Sequence, residues 1–343
     1  MASDPNAPDP EAPDPQAPDQ PVDVDVLIVG AGITGIYQLY RAREAGFSAV
    51  LVEAGGGVGG TWYWNRYPGA RFDSESYTYA YLFSKELFEE WEWQEHFAQQ
   101  PEIERYLNHV VDRFDLRRDI RFDARVTAAV YDEPSGKWIV TVGAGIEYRT
   151  QFLIAATGVL SVPYFPDVAG RDDFRGESFH TGRWPATPVD FAGKRVAVIG
   201  TGSSGVQLIP CIADEVASLT VYQRTANWCT PLNNAPITAA EQAQLRADFE
   251  AIRETLNTSI SGFLHVAHDR ATSDDSAEER RAFFEKMWSS PGFSKLTSHY
   301  TDLLVDHAAN AEWCEFIAEK IRGIVKDPET AAKLIPIDHR FAE

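Results

Sequence analysis

The chain has 343 residues, 44% of them hydrophobic, and a formal net charge of −20; the length suits two compact domains rather than one, and the acidic balance excludes a nucleic-acid partner, which needs a basic face. Its three cysteines, Cys211, Cys229 and Cys314, have neither a close pair nor metal-ligand spacing, so no metal site is expected and the expected compartment is a reducing cytoplasm. No apolar run is long enough to span a bilayer and no basic-then-apolar leader opens the sequence, so no membrane partner is expected.

Residues 1–23 repeat a Pro- and Asp-rich unit. They bury nothing and read as a disordered acidic tail. Order is expected from Asp25, where Val26–Val29 forms a short apolar run ending in glycine, the pattern of a buried parallel strand. A helix follows over Ile36–Glu44, stopped by Gly46, and then a second buried strand over Ala49–Val52. Residues 60–82 are aromatic and glycine-bearing without periodicity, as in a functional loop. Residues 84–116 read as helical. Arg125–Tyr131 and Lys137–Val142 read as antiparallel strands around the turn Glu133–Gly136, and Phe152–Ala155 as a buried strand. A second strand–glycine–helix unit starts at Arg195, with a strand over Val196–Ile199, a helix over Val206–Val216 bent at Pro210, and a strand over Leu219–Gln223. From about 237 to 334 the pattern is helical and charged. No third strand follows for the second unit, so that domain reads as unfinished.

Two glycine fingerprints carry the chemistry. The first is Gly30-Ala31-Gly32-Ile33-Thr34-Gly35 and the second Gly200-Thr201-Gly202-Ser203-Ser204-Gly205. In each, the first glycine permits a tight turn, the second lets a pyrophosphate reach the backbone, and the third lets helix and strand pack closely. The helix N-terminus then presents N–H groups and partial positive charge to the phosphates. Ser203 and Ser204 join the second phosphate site.

The ends of the second strands divide the work. Glu53 lies 23 residues after Gly30, and Arg224 lies 24 after Gly200. An acid at this position accepts hydrogen bonds from ribose hydroxyls, as FAD or NAD requires. An arginine suits a 2′-phosphate and favours NADP, with Thr225 adding a hydroxyl. The competing reading is a surface Glu and a surface Arg. An FAD site and an NADPH site on one chain imply flavin reduction by NADPH. No Cys-x-x-Cys is present to pass electrons to a disulfide, which leaves dioxygen as the leading acceptor.

The segment Phe174-Arg175-Gly176-Glu177-Ser178-Phe179-His180-Thr181-Gly182-Arg183-Trp184-Pro185 resembles the fingerprint of the Baeyer–Villiger monooxygenases, with Phe174, Gly176, His180 and Trp184 at its fixed positions. Gly59–Asp73 is similar to that family's flavin-site segment, and Ala156-Thr157-Gly158 to its first hinge. The resemblance runs from about residue 25 to the end. It implies an α/β fold of two Rossmann-like dinucleotide-binding domains, for FAD and NADP, with a helical insertion and without its C-terminal part. The implied division is 24–160 for the FAD domain, 161–193 for the linker, 194–232 for the first part of the NADP domain and 233–343 for the insertion.

The resemblance implies FAD, NADPH, a ketone and dioxygen as reactants, with a C4a-peroxyflavin inserting oxygen to give an ester or lactone. It places Gly60, Thr61, Trp62, Asp73, Tyr79 and Val126 in the flavin site. Trp62 and Tyr63 read equally well as core packing. His180 and Trp184 are read as linker anchors, and His180 by itself as a hydrogen-bonded structural histidine. Asp73 is the expected catalytic residue, the partner of an arginine that faces the flavin. That arginine belongs to a Lys-Arg pair whose lead-in resembles Leu334–Phe341, and the sequence reaches Glu343 before the pair. Two rival readings stand beside this one: an N- or S-oxygenating flavin monooxygenase, and a partial polypeptide that binds cofactor without full activity.

Overall fold

The computed structural model describes residues 21–260, 262–266 and 268–343. The expected tail falls almost wholly outside them. In chain order the elements are β1 (Val22–Val29), α1 (Ile33–Glu44), β2 (Ala49–Val52), α2 (Thr61–Trp64), α3 (Ser76–Tyr79), α4 (Lys85–Glu90) and α5 (Gln100–Arg113). Then follow β3 (Ile120–Arg121), β4 (Val126–Asp132), β5 (Lys137–Val142), β6 (Ile146–Ala155), β7 (Arg195–Ile199), α6 (Ser203–Ile212) and β8 (Ser218–Tyr222). The helical remainder is α7 (Ala239–Ala247), α8 (Phe249–Thr258), α9 (Ala277–Ser289), α10 (Ser294–Thr297), α11 (His307–Ile324) and α12 (Pro328–Leu334). Among these residues no helix is long and apolar enough to cross a membrane.

The chain divides into two compact units, one up to Arg66 with Pro101–Thr187, the other Tyr67–Gln100 with Pro188–Glu343. The first unit is built on a sheet of order β3-β2-β1-β6-β5-β4. Its centre is β1, parallel to β2 on one side (Ile28 opposite Leu51) and to β6 on the other (Ile28 opposite Ile154). Leu27 and Ile28 are fully buried for that reason. β1 begins at Val22, three residues before the expected start at Asp25, because Val22 and Val24 pair with β6. α1 lays Gly35, Ile36, Leu39 and Ala42 on the core, at spacings of three and four that keep one face towards it. It ends at Gly46, whose φ of +81° takes the chain out of the helix. The expected hairpin is present, with Tyr131 opposite Trp138 and their rings 5.4 Å apart.

Two expectations fail here. Residues 84–116 are not one helical stretch, since Trp91–Gln99 lies between α4 and α5. Part of it runs as an extended segment against residues 234–237: His96 N–H donates to Ala235 O (3.0 Å), Ile237 N–H to Gln94 O (2.9 Å) and Phe97 N–H to Asn234 Oδ1 (3.0 Å). A pairing distant in sequence has overridden local helix preference. Nor is the end of β6 fully buried, because Phe152 is 47% exposed. β5 pairs only with residues up to Thr150, so the outer edge of β6 beyond it has no strand beside it among the described residues.

The second unit contains β7 and β8, a parallel pair with Ile199 opposite Tyr222. β7, which leads into the second glycine turn, was expected to be a buried strand, yet only Val198 is buried in it and Ile199 is 75% exposed. A pair of strands with a helix on one side cannot cover both faces. α6 begins at Ser203, earlier than expected, and runs through Pro210 to Ile212.

The helical remainder has an aromatic core. Trp313 stacks on Phe316 at 5.2 Å and 11°, and Phe284, Met287, Tyr300 and Ile317 pack around them. His299 sits inside this cluster, 4.8 Å from the Trp313 ring and 5.3 Å from that of Phe283. Its Nδ1 accepts from Tyr300 N–H at 2.9 Å, which makes the imidazole neutral with the proton on Nε2. Burial drives its pKa down to about 3. The unfolded chain binds this proton near pH 6.5 and the folded chain resists it, so stability falls as pH drops from about 6.5 towards 3, by up to about 1.4 kcal/mol per pH unit. His299→Phe is expected to flatten that part of the profile, as read from urea unfolding at pH 7, 6 and 5.

Candidate functional site

In the first unit the chain leaves β1 through Gly30, at φ +106°, whose N–H donates to Val52 O (2.8 Å). A Cβ at Gly30 would lie 2.5 Å from Ala156 O, and one at Gly35 would fall inside the Gly30 carbonyl oxygen. Gly32 caps α1 and brings no side chain to do so. A Cβ on Gly60 would come within 2.8 Å of Gly32 Cα, so the two glycine segments meet backbone to backbone. This is a cradle that only glycine permits, at a helix N-terminus, the geometry that suits a pyrophosphate.

Glu53 stands beside it. Its side chain is buried, and its two oxygens accept from Ala31 N–H and Gly55 N–H, each at 2.7 Å. The surface-residue reading of Glu53 is thereby excluded. Each oxygen keeps a further lone pair for a hydroxyl donor. Ala124 N–H donates to Glu53 O at 2.8 Å, two residues before Val126 opens β4. Thr61 opens α2 and Trp62 is buried within it. Tyr63 packs its ring against Gly55 and Gly57, and its hydroxyl accepts from Gly56 N–H at 3.0 Å. For Tyr63 this is the packing role.

The 174–185 segment folds onto residues of this same unit. Gly182 N–H donates to His180 Nδ1 (3.0 Å), so Nε2 carries the proton and donates to Tyr164 O (3.2 Å). His180 is a structural, backbone-bonded histidine. Trp184 N–H donates to Trp64 O (3.3 Å). Arg183, which sequence reasoning passed over, lies 4.5 Å above the Trp64 ring and donates to Ser161 O (2.6 Å). Phe174 is exposed, and its ring leaves no room for a side chain at Gly176.

In the second unit Gly200, at φ +104°, donates its N–H to Tyr222 O (2.9 Å) and Gly202 caps α6, again without a side chain. Gly205 is crowded by Gly200 O, whereas Gly200 and Gly202 face open space. Ser203 and Ser204 start α6. Thr201 Oγ1 donates to Thr225 O at 3.4 Å, which ties the end of β8 to the glycine turn. Arg224 is exposed beside it and has no ion pair among the described residues.

Gln207 was missed, although it lies one helical turn after Ser203. Its Oε1 accepts from Tyr67 O–H (2.8 Å), and its Nε2 donates to Arg71 O (2.9 Å) and, at 3.5 Å, to Asp73 Oδ1. Tyr67 also meets Ser204. Arg71 pairs with Glu95 (3.4 Å), which accepts from Asn234 Nδ2 (2.6 Å). The 67–73 segment is thus fastened along one face of α6. Asp73 is half-buried, and burial raises its pKa, opposed by Gln207 and Arg71. Tyr79 stacks on Phe72 at 4.2 Å and 16°. Asp73 and Tyr79 therefore fold with the second glycine turn, while Gly30 to Trp62 and Val126 fold with the first.

Residues 27–272 match the family model described as pyridine nucleotide-disulphide oxidoreductase. The chain belongs to that family. It is 47% identical over 324 residues to the 2-oxo-Δ3-4,5,5-trimethylcyclopentenylacetyl-CoA monooxygenase of Pseudomonas putida, covering 93% of this chain and 59% of that one. It is 43% identical over 317 residues to phenazine N-monooxygenase PhzNO1 of Lysobacter antibioticus, covering 92% and 58%. A crystal structure of OTEMO in complex with FAD and NADP superposes with a TM-score of 0.90 at 47% identity, over 93% of this chain and 61% of that one. The chain thus spans about three fifths of the length of these relatives. Its resemblance to the Baeyer–Villiger monooxygenases holds across that span. The family's disulphide chemistry has no counterpart among the described cysteines, which are all free.

The two fingerprints differ in how far their glycines are confined. Gly35→Ala drives a Cβ into backbone and is expected to cost more than about 3 kcal/mol, seen as loss of soluble folded protein. Gly202→Ala, in extended backbone with open space, is expected to change unfolding free energy by less than about 0.5 kcal/mol while weakening nucleotide binding, read by titration calorimetry.

Proposed function

We propose that the chain is the FAD- and NADPH-binding part of a flavin monooxygenase that converts ketones to esters or lactones. The observation that carries this is the opposite chemistry at two equivalent positions: a buried, backbone-bonded carboxylate at Glu53 and, at Arg224, an exposed guanidinium with no ion pair among the described residues. Glu53 would take the ribose hydroxyls of FAD, and the Gly30–Gly35 turn with Gly60 and Thr61 its pyrophosphate. Trp62 would shield the pocket, and Val126 would border it. Gly200–Gly205 with Ser203 and Ser204 would hold the NADPH pyrophosphate, and Arg224 with Thr225 its 2′-phosphate.

FAD held there would supply the redox chemistry by which NADPH and dioxygen put one oxygen atom into the ketone and reduce the other to water. The chain's own part is position and charge. The Gln207 amide holds the 67–73 segment on α6, so that Asp73 is kept in one place and partly dry. A cation nearby favours the ionised form of a half-buried carboxyl, and the proposed role of Asp73 is to orient such a cation towards the reacting oxygen. Nitrogen oxygenation is the second reading, favoured by the similarity to a phenazine N-oxygenating relative. The two are separated by incubating the FAD-loaded protein with NADPH and either a cyclic ketone or an aromatic amine. A lactone supports the first reading, an N-oxide the second, and absence of bound flavin after FAD addition overturns both.

Nucleotide choice is the sharper test. Arg224→Ala is expected to weaken NADPH binding by about 1.5–3 kcal/mol through loss of a charge-assisted contact, and to leave NADH nearly unchanged. Dissociation constants for both nucleotides check this, and equal losses would remove Arg224 from the site.

A further inference from the structure

Among the described residues Asp73 has one weak polar contact of its own, the 3.5 Å approach of Gln207. The turn that carries it is held much more firmly two residues on. Glu75 is buried and His265 nearly so, with side-chain exposures of 6% and 10%, and Glu75 Oε1 lies 2.6 Å from His265 Nε2. The other ring nitrogen, Nδ1, lies 2.6 Å from Thr297 Oγ1. Thr297 gives its own proton to Phe293 O at 2.9 Å, within α10, so Nδ1 is the donor towards it. Nε2 and Glu75 then share the remaining proton, and Phe263 stacks on the imidazole at 5.7 Å. The chain between α9 and α10 closes over Asp73 itself: a Cβ at Gly292 would stand 3.1 Å from Asp73 O and 2.6 Å from the Phe97 ring. Next to this, Ser76 O–H donates to Glu95 O (2.6 Å) and accepts from Ala98 N–H (3.0 Å).

We propose that Glu75, His265 and Thr297 form a latch through which the helical segment positions the Asp73 carboxyl. This rests on the role proposed for Asp73 in the reaction. The three are positioning residues, and none is assigned contact with substrate or cofactor. The physical case is one of leverage. A short, buried, two-sided hydrogen bond at residue 75 fixes the backbone turn, and a carboxyl with only a long contact takes its place from that backbone. On this proposal the burial that raises the Asp73 pKa depends on the same closure.

The test reads Asp73 directly. The purified full chain, labelled with carbon-13 at aspartate carboxyls, is titrated by NMR, with the Asp73 signal assigned by its loss in Asp73→Asn. Tyr67, Arg71 and Gln207 face this carboxyl and are left intact. Glu75→Ala and His265→Ala are each expected to lower the Asp73 midpoint towards the ordinary carboxylate range, with no further shift in the double variant. Glu75→Gln keeps a partner for His265 and is expected to stay near the parent. An unchanged Asp73 midpoint in Glu75→Ala or His265→Ala, even with a lower melting temperature, reduces the cluster to a brace and overturns the proposal. If both alanine variants fail to fold, His265→Gln and Thr297→Val give the same reading by the same criteria. The role of Asp73 is judged separately, from NADPH consumption and flavin absorbance of FAD-loaded Asp73→Asn. No change there removes the reactive role, while the NMR shift still decides the latch.

Discussion

A strand that ends in a left-handed glycine and starts a helix without a capping side chain is the constraint on which both units depend. At Gly30 and again at Gly200 the backbone turns at φ near +105°, a conformation that L side chains rarely adopt. The next glycine, Gly32 or Gly202, leaves the first helical turn uncapped by any side chain. The N–H groups there have no acceptor within the helix and need one from outside it. Anionic phosphate meets that need and the helix dipole together.

What distinguishes the two turns is their surroundings. Gly30 is pressed by Ala156 O and Gly32 faces Gly60, so the first cradle is walled by other backbone. Gly200 and Gly202 have no such neighbours among the described residues. The same contrast marks the acid and the base. Glu53 is held by two N–H donors, which keeps a buried carboxylate hydrogen-bonded as burial requires. Arg224 is exposed and has no ion pair among the described residues, and so is available as a charge rather than as a structural tie.

The second unit adds a different kind of order. The 67–100 segment, which in sequence follows the first glycine unit, is fastened by the Gln207 amide, by Asn234 and by the extended pairing of residues 94–97 with 234–237. These are polar ties between residues more than a hundred positions apart. The interior of the helical remainder is different in kind, an aromatic cluster around Trp313 in which the His299 imidazole is kept neutral by burial.

The sequence by itself determined the local chemistry: the two glycine turns, the acid and the arginine at matching distances, the hairpin at 133–136, and most strand limits to within a few residues. Each depends on neighbours in the chain, through glycine's conformational freedom, alternation or turn geometry, and so each is written locally. Tertiary structure alone decided which apolar strands were covered. Phe152 and Ile199 read as buried by composition, yet burial requires a neighbouring layer that periodicity does not reveal. It also decided the break at 91–99, where pairing with a distant segment outweighed helix preference. The roles of Gln207, Arg183, Glu75 and His265 were illegible for the same reason. Their partners are distant in sequence, and a polar side chain carries no mark of the group it will meet when the chain folds.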